Sequence, residues 1–94
     1  MNVFEVETTS RFDRELKQLC SRHPALPEHF AEVLQILQLD PYNRSRTHDI
    51  EKLTGIPAGD AQYRIRTGRF RFRFDIVGKY VFFKACSLRR EDTY

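Results

Sequence analysis

The chain has 94 residues, of which 40% are hydrophobic, and its large side chains include eight Phe and four Tyr. This length fits one domain and excludes two, and the apolar content is too high for a disordered chain. The 16 Lys and Arg outnumber the 13 Asp and Glu, which gives a net charge of +3. We therefore expect residues 1–94 to form one small folded domain.

The charge is distributed unevenly along the chain. Residues 1–62 carry seven Lys and Arg against ten acidic residues, whereas residues 63–90 carry nine against one. Twelve of the 16 basic residues are Arg, which is the group best suited to forked contacts with phosphate. The basic third of the chain therefore indicates a polyanionic partner, with a solvated sheet face as the alternative.

Nothing in the sequence indicates disulfides, export, a membrane span or a metal site. Cys20 and Cys86 fall in a helical stripe and a strand-like segment, where they fit as small apolar residues. The chain begins without a signal-peptide pattern, and no run approaches the roughly 18 apolar residues of a membrane span. The three histidines are scattered, and no P-loop or nucleophile elbow occurs. We expect a cytoplasmic protein without metal or cofactor.

The first half of the chain predicts one strand and two helices. The stretch "NVFEVE" alternates apolar and acidic residues, as a short strand does. Ser10 and Asp13 resemble a capping box at the start of a helix that ends near His23. Pro27 suits the first turn of a second helix, which ends at Asp40 because a proline follows. The polar segment 42–60 is predicted to be a connecting loop.

The second half alternates with a period of two. In "YRIRTGRFRFRF", residues 63–74, the apolar positions change parity across Gly68, as they do across a tight hairpin. Gly78 marks a second turn, and "YVFFKACSL" follows as another strand. The predicted order is β-α-α-β-β-β. It indicates an α+β fold in which two N-terminal helices pack on one face of an antiparallel sheet.

The alternation also predicts where the arginines lie. In such a sheet the phenylalanines meet the helices, and the arginines between them point to the open face. Like charges directly opposite each other on neighbouring strands are destabilising, so a face of this kind needs a partner that relieves the repulsion. We therefore predict an anion-binding surface that contains Arg64, Arg66, Arg69, Arg71 and Arg73.

Four stretches together resemble the RelE/ParE superfamily, the toxins of bacterial and archaeal toxin–antitoxin pairs. They are "LDPY" after the second helix, "EKLTGIP" in the loop, "YRIRTGRFRFRFDI" across the hairpin and the final "LRREDTY". They occur in the family's order, and the predicted order of helices and strands also matches. RelE-type toxins cut mRNA codons in the ribosomal A site, whereas ParE-type toxins poison DNA gyrase and lack the nuclease residues. The sequence looks closer to RelE.

This resemblance implies the toxin of a type II pair, a ribosome-dependent endoribonuclease that needs no metal because the RNA 2′-hydroxyl attacks the adjacent phosphorus. Its implied partners are a cognate antitoxin, the ribosome and mRNA. Arg71 would clamp the scissile phosphate, Arg89 would stabilise the leaving group, and Tyr94 would stack on or orient the nucleotide. Arg90 is an equal match for the position given to Arg89. The residues assigned to RNA contacts are Arg64, Arg66, Arg69, Arg73, Arg90 and Lys52.

The general base stays open. Some relatives carry Lys, Glu or His at hairpin positions where this chain has Arg, which stays protonated and is a poor base. The candidates for the base are Glu91, Asp92, His48 and Glu51, and a structural or solvated role is the alternative for each. Two other functions also stay open: a ParE-like gyrase inhibitor without nuclease activity, and a nucleic-acid-binding module without catalysis.

Overall fold

A computed structural model describes residues 3–88, which form two helices and five strands. The helices are α1 (Ser10–Cys20) and α2 (Leu26–Leu39), and the strands are β1 (Glu5–Thr8), β2 (Ile50–Lys52), β3 (Tyr63–Thr67), β4 (Phe70–Val77) and β5 (Tyr80–Leu88). No helix within these residues combines the length and the apolar character that crossing a membrane requires. The predictions made for Arg89, Arg90, Glu91, Asp92 and Tyr94 lie outside the described residues.

The five strands form one sheet in the order β1-β5-β4-β3-β2. The predicted fold class and its β-α-α-β-β-β order are confirmed, with two additions. Strand β1 pairs with β5 in parallel, so the sheet is mixed and only β2 to β5 are antiparallel. The short strand β2 lies within the predicted loop and extends the sheet beyond β3.

Helix α1 occupies the edge of β5 beyond the end of β1. Strand β1 pairs only as far as Thr8 and Phe83. The next residue, Thr9, caps α1 by accepting the Phe12 N–H at 3.3 Å, in place of the cap predicted at Ser10. Its hydroxyl also donates to the carbonyl oxygen of Phe83 at 3.0 Å. The start of the helix is therefore tied to the sheet by one threonine hydroxyl.

The helices cover one face of the sheet, and phenylalanines fill the space between them, as the alternation predicts. Phe12 on α1 stacks on Phe83 of β5 with ring centroids 4.7 Å apart. Phe72 and Phe74 from β4 are completely buried beside them. Each buried aromatic side chain contributes about 1.5–3 kcal/mol through the area it removes from water. This one-sided core leaves the opposite face of the sheet to the residues between the phenylalanines.

Candidate anion-binding face

Four strand arginines share the face of the sheet that points away from the helices. In the pairing of β3 with β4, Arg64 lies opposite Arg73 and Arg66 lies opposite Arg71. Their neighbours in β4 point into the core, so the arginines must project outward. We refer to Arg64, Arg66, Arg71 and Arg73 as the arginine face.

Arg69, which the sequence pattern grouped with the other four, lies outside the strand pairing that places them on this face. It occupies the two-residue turn between β3 and β4 together with Gly68, and it is exposed. Gly68 has a φ of +58°, the left-handed conformation that such a turn requires and that glycine adopts without penalty. Arg69 therefore sits at the tip of the hairpin, where its side chain is not fixed by strand pairing.

Two acidic residues at the edge of the sheet neutralise half of the arginine face. Asp49 makes a forked contact with Arg66, with Nε–Oδ2 and Nη2–Oδ1 distances of 3.0 and 3.4 Å. Glu51 on β2 accepts a hydrogen bond from Arg64, which also lies 3.7 Å from Asp49. The repulsion that was expected to need an external partner is therefore partly relieved within the chain.

Asp49 was missed as a component of the face and Glu51 was named only as a candidate base, yet the sequence carries a signal for both. In "DIEK", Asp49 and Glu51 flank Ile50 with a period of two, and Ile50 pairs with Ile65 on the core side. Reading the stretch as a three-residue strand would have placed both carboxylates on the same face as the arginines. Glu51 is the candidate general base that lies beside this face within residues 3–88.

Arg73 and Asp75 hold the chain segment that enters β3. A terminal nitrogen of Arg73 donates to the carbonyl oxygens of Ala61 and Asp60 at 2.7 and 3.1 Å. The carboxylate of Asp75, which is buried, accepts the N–H groups of Ala61 and Gln62 at 2.9 and 3.0 Å. Ala61 has a φ of +65°, a strained conformation for a residue with a side chain, and these bonds offset that strain. This terminal nitrogen of Arg73 therefore serves the fold.

Arg71 has a different environment from the other three arginines. It lies between Arg66 on β3 and Ser87 on β5, and it is partly buried. Within residues 3–88 its guanidinium makes no hydrogen bond or ion pair, and its Nε is shielded from solvent and without a hydrogen-bond partner. A shielded guanidinium nitrogen without an acceptor costs free energy that an anion can recover. Arg71 is therefore the member of the face best placed to receive a ligand.

The two remaining predicted residues lie away from the arginine face. Lys52 pairs with Tyr63 on the helix side of the sheet, and its ammonium lies 5.8 Å from the centre of that ring. His48 has its Nε2 3.8 Å from Asp40, and its backbone is held by the side chain of Asn43. The structure therefore brings neither side chain to Arg71. Within the described part of the chain, no group of three His, Cys, Asp or Glu residues is arranged to hold a metal ion.

The fold has relatives among solved structures. No family model matches the chain, and no curated protein matches it in sequence. A chain of the RelB–RelE antitoxin–toxin complex from Methanococcus jannaschii superposes with a TM-score of 0.65 at 19% identity, over 87% of this chain and 88% of that one. A chain of the toxin–antitoxin complex RelBE2 from Mycobacterium tuberculosis gives 0.56 at 16% identity, over 93% and 99%. The protein therefore has a RelE-like fold.

Proposed function

We propose that this protein is the toxin of a type II toxin–antitoxin pair, an endoribonuclease that cuts mRNA in the ribosomal A site. The RelE-like fold supports the toxin role. The observation that carries the nuclease role is Arg71, a partly buried guanidinium that has no partner within residues 3–88 and lies on an open sheet face among other arginines. Such a group suits a phosphate whose charge increases during reaction.

The proposed chemistry needs charge stabilisation and two proton transfers. The RNA 2′-hydroxyl attacks the adjacent phosphorus, and Arg71 stabilises the charge that builds on the phosphoryl oxygens. Glu51 is proposed as the base that takes the 2′ proton, because its carboxylate lies at the edge of the arginine face beside Arg64. As the P–O5′ bond breaks, the 5′ oxygen takes a proton from solvent water and the 2′ oxygen stays on phosphorus as a cyclic phosphate. Arg89 is proposed to stabilise the leaving oxygen, and Tyr94 is proposed to position the nucleotide. Arg66, which keeps Asp49 as its partner, and Arg64, which lies beside Glu51, are proposed to hold flanking phosphates.

A translating extract tests the nuclease role directly. Wild-type protein is expected to produce cuts within A-site codons of ribosome-bound mRNA, mapped by primer extension. Arg71→Ala should lower the cutting rate at least a hundredfold, since removing one preorganised donor to the reacting oxygens typically costs about that much. Lys79→Ala is the control, because that lysine is exposed in the turn between β4 and β5 and is assigned no contact with RNA. Equal cutting by wild type and Arg71→Ala would overturn the proposal.

Two assays distinguish the proposed nuclease from the main alternative, a gyrase inhibitor. A gyrase inhibitor would block supercoiling by purified gyrase and leave mRNA intact, whereas the proposed nuclease should leave supercoiling unchanged. Running both assays on one preparation decides between them. A module that only binds nucleic acid would affect neither reaction.

An antitoxin is the expected protein partner, and the proposed site of action is the cytoplasm, where the ribosomes are. Both similar solved structures are described as toxin–antitoxin complexes. We propose that an acidic or amphipathic segment of the antitoxin covers the arginine face and supplies carboxylates to Arg71. Co-expression with the product of the adjacent reading frame should suppress mRNA cutting. Suppression should weaken when the acidic residues of that product are replaced by amides.

A further inference from the structure

A cavity of about 340 Å³ opens beside the arginine face, where α1 begins. Four parts of the chain form its walls: the start of α1, the loop before β3, strand β4 and strand β5. Its lining residues are Thr9, Arg11, Gly59, Asp60, Ala61, Arg73, Lys84 and Ala85. Arg73 belongs to both the cavity and the arginine face, so the two are continuous.

The cavity lining carries three cations and one carboxylate. Arg11, Arg73 and Lys84 come from three different elements, and Asp60 is the acid among them. The partner of Lys84 is Asp75 at 4.0 Å, which is the limit of an ion pair, and the oxygens of Asp75 already accept two backbone N–H groups. The Nε of Arg73 is shielded from solvent and has no hydrogen-bond partner within residues 3–88. Among the residues that line the cavity the cations therefore outnumber the carboxylate, although Arg11 and Lys84 each have an acid nearby outside the lining.

A bulge in β5 brings Lys84 into this position. Phe83 pairs with Phe74, and Ala85 pairs with Arg73, so Lys84 is an inserted residue without a counterpart on β4. A bulge interrupts the ladder and re-aims a side chain, and bulges are enriched next to functional sites. In a regular ladder the residue after Phe83 would pair with Arg73, whereas here Ala85 pairs with Arg73 and Lys84 lies beside that pair. The insertion gives Arg73 a second cation as its neighbour.

The start of α1 adds further donors. Thr9 and Arg11 line the cavity, and Arg11 is exposed, with Glu15 as its ion-pair partner. The first N–H groups of a helix have no acceptor within the helix and carry its partial positive charge. The cavity thus lies beside the start of α1 and is lined by three cationic side chains, and one of them, Arg73, has a shielded Nε without a hydrogen-bond partner within residues 3–88.

We propose that this cavity binds a phosphate of single-stranded RNA, one linkage away from the phosphate that Arg71 holds. Arg71 and Arg73 are alternate residues on one strand, and such residues are about 6.6 Å apart. That spacing resembles the distance between successive phosphates of an unstacked strand. The inference rests on the proposed function for the role of Arg71, and it adds Lys84 and Arg11 as contacts to the neighbouring nucleotide.

A trinucleotide of 2′-deoxy residues tests the site, because it has two linkages and no hydroxyl with which to cut itself. Its affinity for the full chain would be measured by NMR titration at several salt concentrations. Lys84→Gln should weaken binding about tenfold at low salt and reduce the log–log salt slope by about 0.7, the value for one contact to a single strand. Lys84→Arg should restore both. Lys79→Gln is the matched control, because Lys79 is exposed in the turn just before β5.

Neutral linkages then assign each cation to a phosphate. One linkage at a time is replaced by an uncharged methylphosphonate. The loss of affinity caused by Lys84→Gln should disappear when one of the two linkages is neutral. The loss of affinity caused by Arg71→Gln should disappear when the other linkage is neutral. If both losses disappear with the same replacement, the two residues hold one phosphate and the separate site is refuted. Equal losses for Lys84→Gln and Lys79→Gln would refute it as well.

The outcomes keep this inference apart from the proposed function. Binding of the trinucleotide that depends on Lys84, together with intact mRNA in the extract, would refute the endonuclease and leave the phosphate site standing. Cutting of mRNA together with trinucleotide binding that does not depend on Lys84 would refute the site and leave the endonuclease standing.

Discussion

Arg66 and Arg71 lie directly opposite each other on β3 and β4, and within residues 3–88 only Arg66 is held by a carboxylate, that of Asp49. Two like charges at paired positions of an antiparallel ladder destabilise the sheet. Residues 3–88 therefore leave the Arg71 guanidinium without a compensating acid, although Asp49 compensates Arg66. An arrangement that costs stability at a surface site is expected where a ligand supplies the missing charge.

Replacing Arg71 should therefore stabilise the protein while it removes function. Arg71→Gln keeps much of the side-chain stem and removes the charge that faces Arg66, so the free energy of unfolding should rise by about 0.2–1 kcal/mol. Urea unfolding at low salt measures this gain, which should shrink at high salt because the repulsion is screened. Arg66→Gln is the control, since it loses the contact with Asp49 and should not stabilise. A loss of more than 1 kcal/mol in Arg71→Gln would show that Arg71 has a structural role.

Two acids lie near the loop that leads into β3, and replacing Asp75 should destabilise the protein more than replacing Asp60. Its buried carboxylate accepts the N–H groups of Ala61 and Gln62, so Asp75→Asn leaves one of them without an acceptor and should cost about 1–3 kcal/mol. Asp60→Asn removes an exposed charge from the same loop and should change stability by less than about 0.5 kcal/mol. Urea denaturation of the two variants gives the comparison. Equal effects would mean that the loop does not depend on the Asp75 carboxylate.

Local periodicity accounts for what the sequence predicted correctly. Alternation in residues 63–74 has a period of two, and in a strand that period alone decides which side chains share a face. The four strand arginines and the phenylalanines between them could therefore be assigned to opposite faces without a structure. Strand periodicity does not extend to Arg69, because this residue lies with Gly68 in the tight turn between the two strands.

Features that depend on distant pairing could not be predicted in the same way. Glu5 pairs with Tyr80 in parallel, and nothing in either stretch specifies that neighbour. Strand β2 has three residues, so its period-two signal is short and lies within a segment that is otherwise polar. The hydrogen bonds from Arg73 and to Asp75 that fix the loop depend on the left-handed backbone of Ala61. An alanine in the sequence does not indicate such a backbone. For these reasons the contacts that hold the loop before β3 and the cavity became visible only in three dimensions.

Substitution by alanine should destabilise the protein more at Gly68 than at Gly78, the two glycines in the hairpin turns. Gly68 and Gly78 have φ values of +58° and +60°, so alanine at either position adds strain of about 1–2 kcal/mol. A Cβ at Gly68 would also lie 2.9 Å from Cε1 of His29, whose Nδ1 is 2.9 Å from the Thr67 hydroxyl oxygen. Nothing lies within 4 Å of a Cβ at Gly78.

Gly68→Ala should therefore cost about 0.5–1.5 kcal/mol more than Gly78→Ala, the amount of one hydrogen bond lost when His29 moves. Thermal unfolding of both variants measures the difference. Introducing Gly68→Ala into a His29→Ala background should cost no more than Gly78→Ala, because the obstructing ring is gone. If the larger cost persisted without the ring, the turn conformation and not His29 would be responsible.

Cys86 should make the stability of the protein fall in alkaline solution. Burial, with the nearby charge of Glu15, raises the pKa of the Cys86 thiol from an ordinary value of 9.0 to about 12. The folded state therefore keeps the thiol protonated at pH values where the unfolded chain loses the proton. The sign follows from linkage: this stabilisation is complete below pH 9 and is lost as the pH rises from 9 toward 12.

A Cys86→Ala variant isolates this effect from the other groups that titrate at high pH. The difference in the free energy of unfolding between wild type and variant should be constant from about pH 6 to 8. Above pH 9 it should narrow by up to about 1.4 kcal/mol per pH unit, the limit for one proton. Urea unfolding at each pH gives the profile, and a difference that stayed constant up to about pH 10.5 would contradict it. Iodoacetamide at pH 8 provides a second check, since it should modify Cys86 only in unfolded protein while the partly exposed Cys20 reacts in the native state.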